Sequence, residues 1–233
     1  MDGSIGSGGG GVLAGLGAPT ARRGFLKRTG GIAAAAVLGG SLTACDSIFG
    51  GDDSGIVLDF STDFGVLNYA YALEQLEASF YASVVGNAAF GTTFSAAERL
   101  VLQDIALHEA AHRDFFAAAI PALGGQAIPT LTTVFTSINF ADRTQVLNTA
   151  RSFEDLGVGA YNGAGFYLRN PTLLTLAGKI VSVEARHASA IRDLLSPRSG
   201  AFAPAAFDDA LDPVTVLGAA ANYIDANFHL RGR

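Results

Sequence analysis

Tryptophan is absent from this chain, and cysteine and methionine each occur once among its 233 residues. With Cys45 alone, no disulfide can close within the chain. Basic residues are scarce too: 15 Lys and Arg stand against 21 Asp and Glu, a formal net charge of −6. Nothing resembles a basic stripe, so the counter-ion release that drives nucleic-acid binding lacks its cations, and no nucleic-acid partner is expected. Apolar residues, in contrast, make up 49% of the chain, enough for one sizeable core and one domain.

Near the start, the apolar run GGIAAAAVLGGSLTA at 30–44 is too short to cross a membrane as a stable helix. It follows ARRGFLKR at 21–28, and paired arginines before Phe-Leu-Lys and an apolar run resemble a twin-arginine export signal. The run ends in Leu42-Thr43-Ala44-Cys45, which is similar to a bacterial lipobox, where the chain is cut before the cysteine and its sulfur receives diacylglycerol. Residues 1–44 are therefore expected to be a signal peptide. Cys45 would carry a lipid that anchors the chain to the bacterial cell envelope, on the periplasmic or extracytoplasmic face. Losing Asp2, Arg22, Arg23, Lys27 and Arg28 leaves a mature charge of about −9. Residues 45–62, rich in Gly, Asp and Ser without helical period, read as a flexible tether before the domain at 63–233.

Four long segments then carry helical signals. The first covers about Asp63–Val85, with Leu67, Ala70, Tyr71, Ala78 and Tyr81 on one stripe. The second opens on Ser95-Ala96-Ala97-Glu98, a capping-box pattern, and should run to about Ala119, before Pro121. The third runs from near Asp142 to about Arg169. The fourth starts after Asn170-Pro171 and ends before Ser196-Pro197. A shorter helix is expected from Pro213 to about Phe228. Short links make each of the two helix pairs an antiparallel hairpin, while PALGGQAIPTLTTVFTSINFA (121–141) has the length of a connection running along a bundle from end to end. The expected fold is all-α: a four-helix bundle of two antiparallel hairpins with a long crossover, in the ferritin-like arrangement, plus a short C-terminal helix.

The second and fourth helices each contain Glu-x-x-His, at Glu109–His112 and Glu184–His187. Residues three apart share a helix face, so each pair can aim an oxygen and a nitrogen at one point. The first and third helices offer Glu74, with Glu77 one turn later, and Glu154. Tyr81 follows Glu74 by the same interval that separates Tyr161 from Glu154, which favours Glu74 over Glu77. These carboxylates sit on apolar stripes, where an unpaired buried charge costs several kcal/mol. Arg113, Arg151 or Arg186 could offset part of that cost; two divalent cations with neutral imidazoles would offset it better. The same ligand order, Glu, ExxH, Glu, ExxH, is known from di-iron and di-manganese carboxylate bundles.

His108-Glu109-Ala110-Ala111-His112 also spells the zinc-protease pattern H-E-x-x-H. The extended form fails, with Phe115 and Ala118 at the Gly and last His positions, and a protease site leaves Glu74, Glu154 and Glu184–His187 without a role. His108 is expected to point away from the cluster, as a surface residue or one behind the ligands. The stretches LNYAYALEQLEASFY, ALHEAAHRDFF, FEDLGVGAYNGAGFY and VSVEARHASAIRDLL resemble the bacterial ferritin-like domain family, related to plant desiccation-related proteins, over about residues 63–195.

The resemblance implies two iron ions, or two manganese ions, held by Glu74, Glu109, His112, Glu154, Glu184 and His187. Glu109 and Glu184 would be the bridges, and each His would cap one metal. Glu77, Tyr81 and Tyr161 would stand behind the ligands, with no catalytic residue assigned beyond them. Two functions follow as expectations: Fe(II) oxidation or peroxide consumption at the metal pair, or a non-catalytic envelope stress or structural role on the same bundle. Four glycines in the third helix, Gly157, Gly159, Gly163 and Gly165, are unusual for a helix interior. They would allow close approach, to the first helix or to a second copy in a homodimer, or else mark a kink or break.

Overall fold

A computed structural model describes residues 55–233; the expected signal peptide, Cys45 and most of the tether lie outside them. The first element is a strand, β1 (Ile56–Asp59), where the sequence suggested only tether. It pairs in parallel with β2 (Phe228–Arg231), the last element, with Ile56 opposite Phe228. Leu58 is fully buried in this small sheet. The pairing joins residues near opposite ends of the described chain, and no local period announces such a contact.

Helix α1 (Asp63–Val85) begins where expected. The Thr62 side chain accepts from the Gly65 N–H, answering one of the amides a helix start leaves without partner. Asp63 accepts from the backbone N–H groups of Arg169 and Asn170, which ties the start of this helix to the start of the last long one. After the short α2 (Phe90–Thr93), α3 (Ala96–Ala122) opens on a complete capping box between Ser95 and Glu98. Contrary to expectation α3 runs through Pro121. A proline loses its own bond, and crowds with its ring, at the carbonyl four residues back. That residue, Ala117, is exposed, so its carbonyl can reach water and the helix tolerates the loss.

Helix α4 (Arg143–Ala164) is capped by Asp142 and stops earlier than the sequence suggested, passing into a 3-10 turn over Gly165–Tyr167. Helix α5 (Pro171–Leu195) starts on Asn170, whose side chain accepts from Thr172, with Pro171 in the first turn. Helix α6 (Pro213–Ala220) is shorter than expected, since Phe228 and its neighbours leave for β2. Helices α1 and α3 pack as one pair, and α4 and α5 as the other. The fold is the all-α ferritin-like bundle read from the sequence, with six α-helices and one two-stranded sheet among the described residues.

The crossover at 123–142 is held along α1 by side chains that break its apolar face. Asn68 donates to the Gln126 carbonyl and accepts from Ile128 N–H; Gln75 donates to the Pro129 carbonyl and accepts from Leu131 N–H. Ser79 meets Thr133 at 2.6 Å. On its outer side the crossover bonds residues 223–225, through Val134 to Tyr223 and Asp225 to Thr132. A loop without regular structure thus finds partners for its backbone amides.

Candidate metal centre

Each of the four long helices delivers its part of the cluster from its buried face. Glu74, Glu109, Glu154 and Glu184 are fully buried and His187 is nearly so; only His112 keeps some exposure, at 14% of its side chain. The structure places all six expected residues together, in two overlapping groups. Glu74, Glu109, His112 and Glu184 form one; Glu109, Glu154, Glu184 and His187 form the other. In each group one ligand atom per residue lies within 4.8 Å of all the rest.

The two groups mirror each other. His112 Nδ1 lies 2.9 Å from Glu184 Oε1, 3.4 Å from Glu74 Oε2 and 3.5 Å from Glu109 Oε2. His187 Nδ1 lies 2.7 Å from Glu109 Oε1, 3.5 Å from Glu154 Oε2 and 3.9 Å from Glu184 Oε2. Glu109 and Glu184 therefore turn one oxygen to each histidine, while Glu74 and Glu154 each serve one side.

The tyrosines cross between halves. Tyr161 on α4 donates to Glu74 Oε1 on α1, and Tyr81 on α1 donates to Glu154 Oε1 on α4. Each outer carboxylate thus has one oxygen occupied by a phenol and the other facing the cluster. Spacing along one helix placed each tyrosine near a carboxylate, but could not say that its partner would be on the opposite hairpin.

Glu77 takes no part in either group. It is buried against Gly157 of α4, where a methyl group would come within 2.9 Å of Glu77 Oε1. Gly157 follows Glu154 at the interval by which Glu77 follows Glu74, so the glycine makes room for a carboxylate that only one half carries.

His108, expected at the surface or behind the ligands, is exposed and stands behind the centre: its Nδ1 lies 2.9 Å from His187 Nε2, in hydrogen-bond contact. That contact holds the His187 ring with Nδ1 inward, the common role of a partner behind a metal-binding imidazole. The zinc-protease pattern gave His108 prominence for the wrong reason. Arginine pairing fails as an account of the buried charge. Among the described residues, Arg113 pairs with Asp114, Arg143 with Glu98 and Arg192 with Asp155, and no arginine bridges any of the cluster carboxylates.

Electrostatics without a cation record the crowding. Burial, with the charge of Glu109 adding to it, pushes Glu74 up to about 7. Burial and then the charge of Glu184 hold Glu77 well above the ordinary range, and burial and the charge of Glu74 do the same to Glu184. Burial opposes charge on the histidines, but surrounding carboxylates outweigh it. Glu109, Glu184 and Glu74 raise His112 to about 12, and Glu109 and Glu154 raise His187 to about 10. Burial would also raise Glu109, yet both histidines hold it at about 2.

The residues fit a metal pair on one further observation. Glu74 Oε2, both oxygens of Glu109 and of Glu184, Glu154 Oε2 and the Nδ1 atoms of His112 and His187 are buried without a hydrogen-bond partner among the described residues. They approach one another closely but lack hydrogen-bond geometry, as donor atoms aimed at a common centre do. Buried polar atoms are otherwise almost always partnered. The cluster could hold metal ions.

A family model described as ferritin-like domain matches residues 62–197, which contain every residue of the cluster. No curated protein matches the chain.

Proposed function

The chain belongs to the ferritin-like domain family, and from that premise we propose that it is an envelope lipoprotein whose buried cluster binds two iron or manganese ions for redox chemistry. The buried donor atoms without hydrogen-bond partners carry the metal reading. Glu74, Glu109, His112 and Glu184 would hold one ion, and Glu109, Glu154, Glu184 and His187 the other, with Glu109 and Glu184 shared. Four carboxylates balance two divalent cations, which removes the cost of burying them unpaired.

Such a pair, when bound, would pass two electrons together to dioxygen or peroxide, which suits it to oxidising Fe(II) with either as the oxidant, or to consuming peroxide. The chain's own residues do the positioning. Tyr81 and Tyr161 hold the outer carboxylates, His108 orients His187, and the apolar helix faces limit water. His112 keeps 14% of its side chain exposed, so small solutes would reach the cluster from its side. The leader supports the cellular part of the reading: paired Arg22-Arg23 and the Leu42–Cys45 motif direct export by the twin-arginine route and lipid attachment at Cys45.

The test is elemental analysis of the purified chain beside the Glu109→Ala/Glu184→Ala variant. About two iron or manganese ions per chain are expected, lost in the variant. Fe(II) oxidation and peroxide consumption are then assayed with the loaded protein. A folded native chain that takes up neither metal would overturn the reading.

A further inference from the structure

Among the described residues, one end of the bundle is not packed shut. Leu102, Leu147, Ala150 and Ile191 on the Tyr81 side of the cluster keep none of their surface accessible. On the Tyr161 side Leu67, Ala70, Tyr161, Leu173 and Ile180 each keep 7–8%, although they too face the bundle interior. Between them lies a cavity of about 300 Å³, made by small residues where larger ones would fit, among them Ala70, Ala119, Ala164 and Ala177.

Its inner wall reaches the centre. Ala70, Phe116 and Ile180 each stand four residues, one helical turn, from Glu74, His112 and Glu184 respectively, and Tyr161 on the same wall donates to Glu74 Oε1. Toward the surface the lining passes to Phe115 and Leu123, both exposed, and to Asn170 and Thr172.

We propose that this cavity binds a neutral, hydrocarbon-rich small molecule. A void of this size falls within the range of small-molecule sites between helices, and apolar cavities exclude water and accept apolar guests. None of the lining side chains is charged, so an anionic or cationic head would be buried without a counter-ion. Tyr69, also on the lining, carries a buried hydroxyl with no hydrogen-bond partner among the described residues, which suits a guest with one neutral polar atom. The space runs inward between four helices to the Tyr161 ring, a depth that the flat face of a second copy would not fill. The assignment does not depend on metal: the guest is held by the walls alone.

The experiment titrates the full-length chain with N-phenyl-1-naphthylamine, a neutral fluorescent probe, in the presence of manganese and again after chelation. Saturable binding of one probe per chain is expected in both. Ala119→Phe and Ala177→Phe, which fill the cavity, should weaken it about tenfold or more while circular dichroism stays native. The native chain gives a second readout that needs no variant. Displacement by 1-octanol should exceed displacement by octanoate about tenfold, because the carboxylate resists burial. Absence of saturable binding, equal affinity in folded filled variants, or equal displacement by octanoate would each overturn the proposal. So would sedimentation showing a dimer that the filled variants dissociate, since the space would then belong to a partner copy. Loss of metal uptake with probe binding intact would strike the metal reading alone.

Discussion

Tyr81 and Tyr161 each donate to the outer carboxylate of the opposite hairpin, so each hairpin helps to set the other's carboxylate. Tyr161→Phe would leave Glu74 Oε1 in a buried site with no donor, free to turn toward the cluster in competition with Oε2. Loss of such a partner behind a ligand typically costs about 10–100-fold in metal affinity. Tyr81→Phe and Tyr161→Phe should each show a loss of this size in competition titration with a chelator, while circular dichroism is unchanged. Unaltered affinity in both would reduce the tyrosines to packing. At this scale the sequence was informative about which residues gather and poor about the contacts they make. Spacing at three and seven residues puts side chains on one face of one helix, and that brought out all six cluster residues. It carries nothing about contacts between helices, which is why the crossed tyrosines, the seat of Glu77 on Gly157 and the bond from His108 to His187 were not legible.

Among the elements, glycine has two opposite meanings. Gly163 of α4 lies under the chain at Leu211: a Cβ there would fall 1.9 Å from the Leu211 backbone oxygen, and Leu211 N–H also bonds the Gly159 carbonyl at 2.9 Å. The glycines thus seat the segment leading into α6, with Gly157 facing α1. Gly178 of α5 has nothing within 4 Å of a Cβ position. Gly163→Ala should destabilise by about 1–3 kcal/mol, the usual cost of overpacking, because backbone must move. Gly178→Ala should stabilise by about 0.8–1 kcal/mol, the helix propensity difference. Urea denaturation of the two variants checks both signs, and a stabilised Gly163→Ala would show that the Leu211 segment is not docked there.

The crossover gives a second test at this level. Asn68→Ala removes both bonds that hold Gln126 and Ile128 to α1 and is expected to cost about 1–3 kcal/mol, read by the same denaturation. Helix starts were legible because caps are local: Ser95 with Glu98, and Asn170 before Pro171. The ends of α3, α4 and α6 were not, and for α6 the reason is a strand pairing far along the chain, which local signals do not carry.

For the molecule as a whole, metal held at the cluster would couple to folding and to protons. In the metal-free chain most of these groups have raised pKa values, so the folded state binds more protons than the unfolded one and stability falls as pH rises. The Glu74 contribution is complete below its unperturbed 4.5 and is lost as pH rises through about 7. Those of His112 and His187 are complete below 6.5 and are lost as pH rises through about 12 and about 10. Glu109 has the opposite sign, its contribution present above 4.5 and lost as pH falls through about 2, so it is constant across the neutral range. Metal demands ionised carboxylates and neutral imidazoles, and its binding therefore strengthens as pH rises. Bound metal stabilises the folded state by about 2.7 kcal/mol for each site at a hundred times its Kd. The Tm of chelator-stripped protein should thus decline between pH values of about 5.5 and about 8, while the Tm of protein saturated with Mn(II) declines less or rises. The gap between the two curves should widen with pH. Scanning calorimetry of both forms measures it directly, and a gap independent of pH would mean that the buried carboxylates and histidines do not exchange their protons for metal.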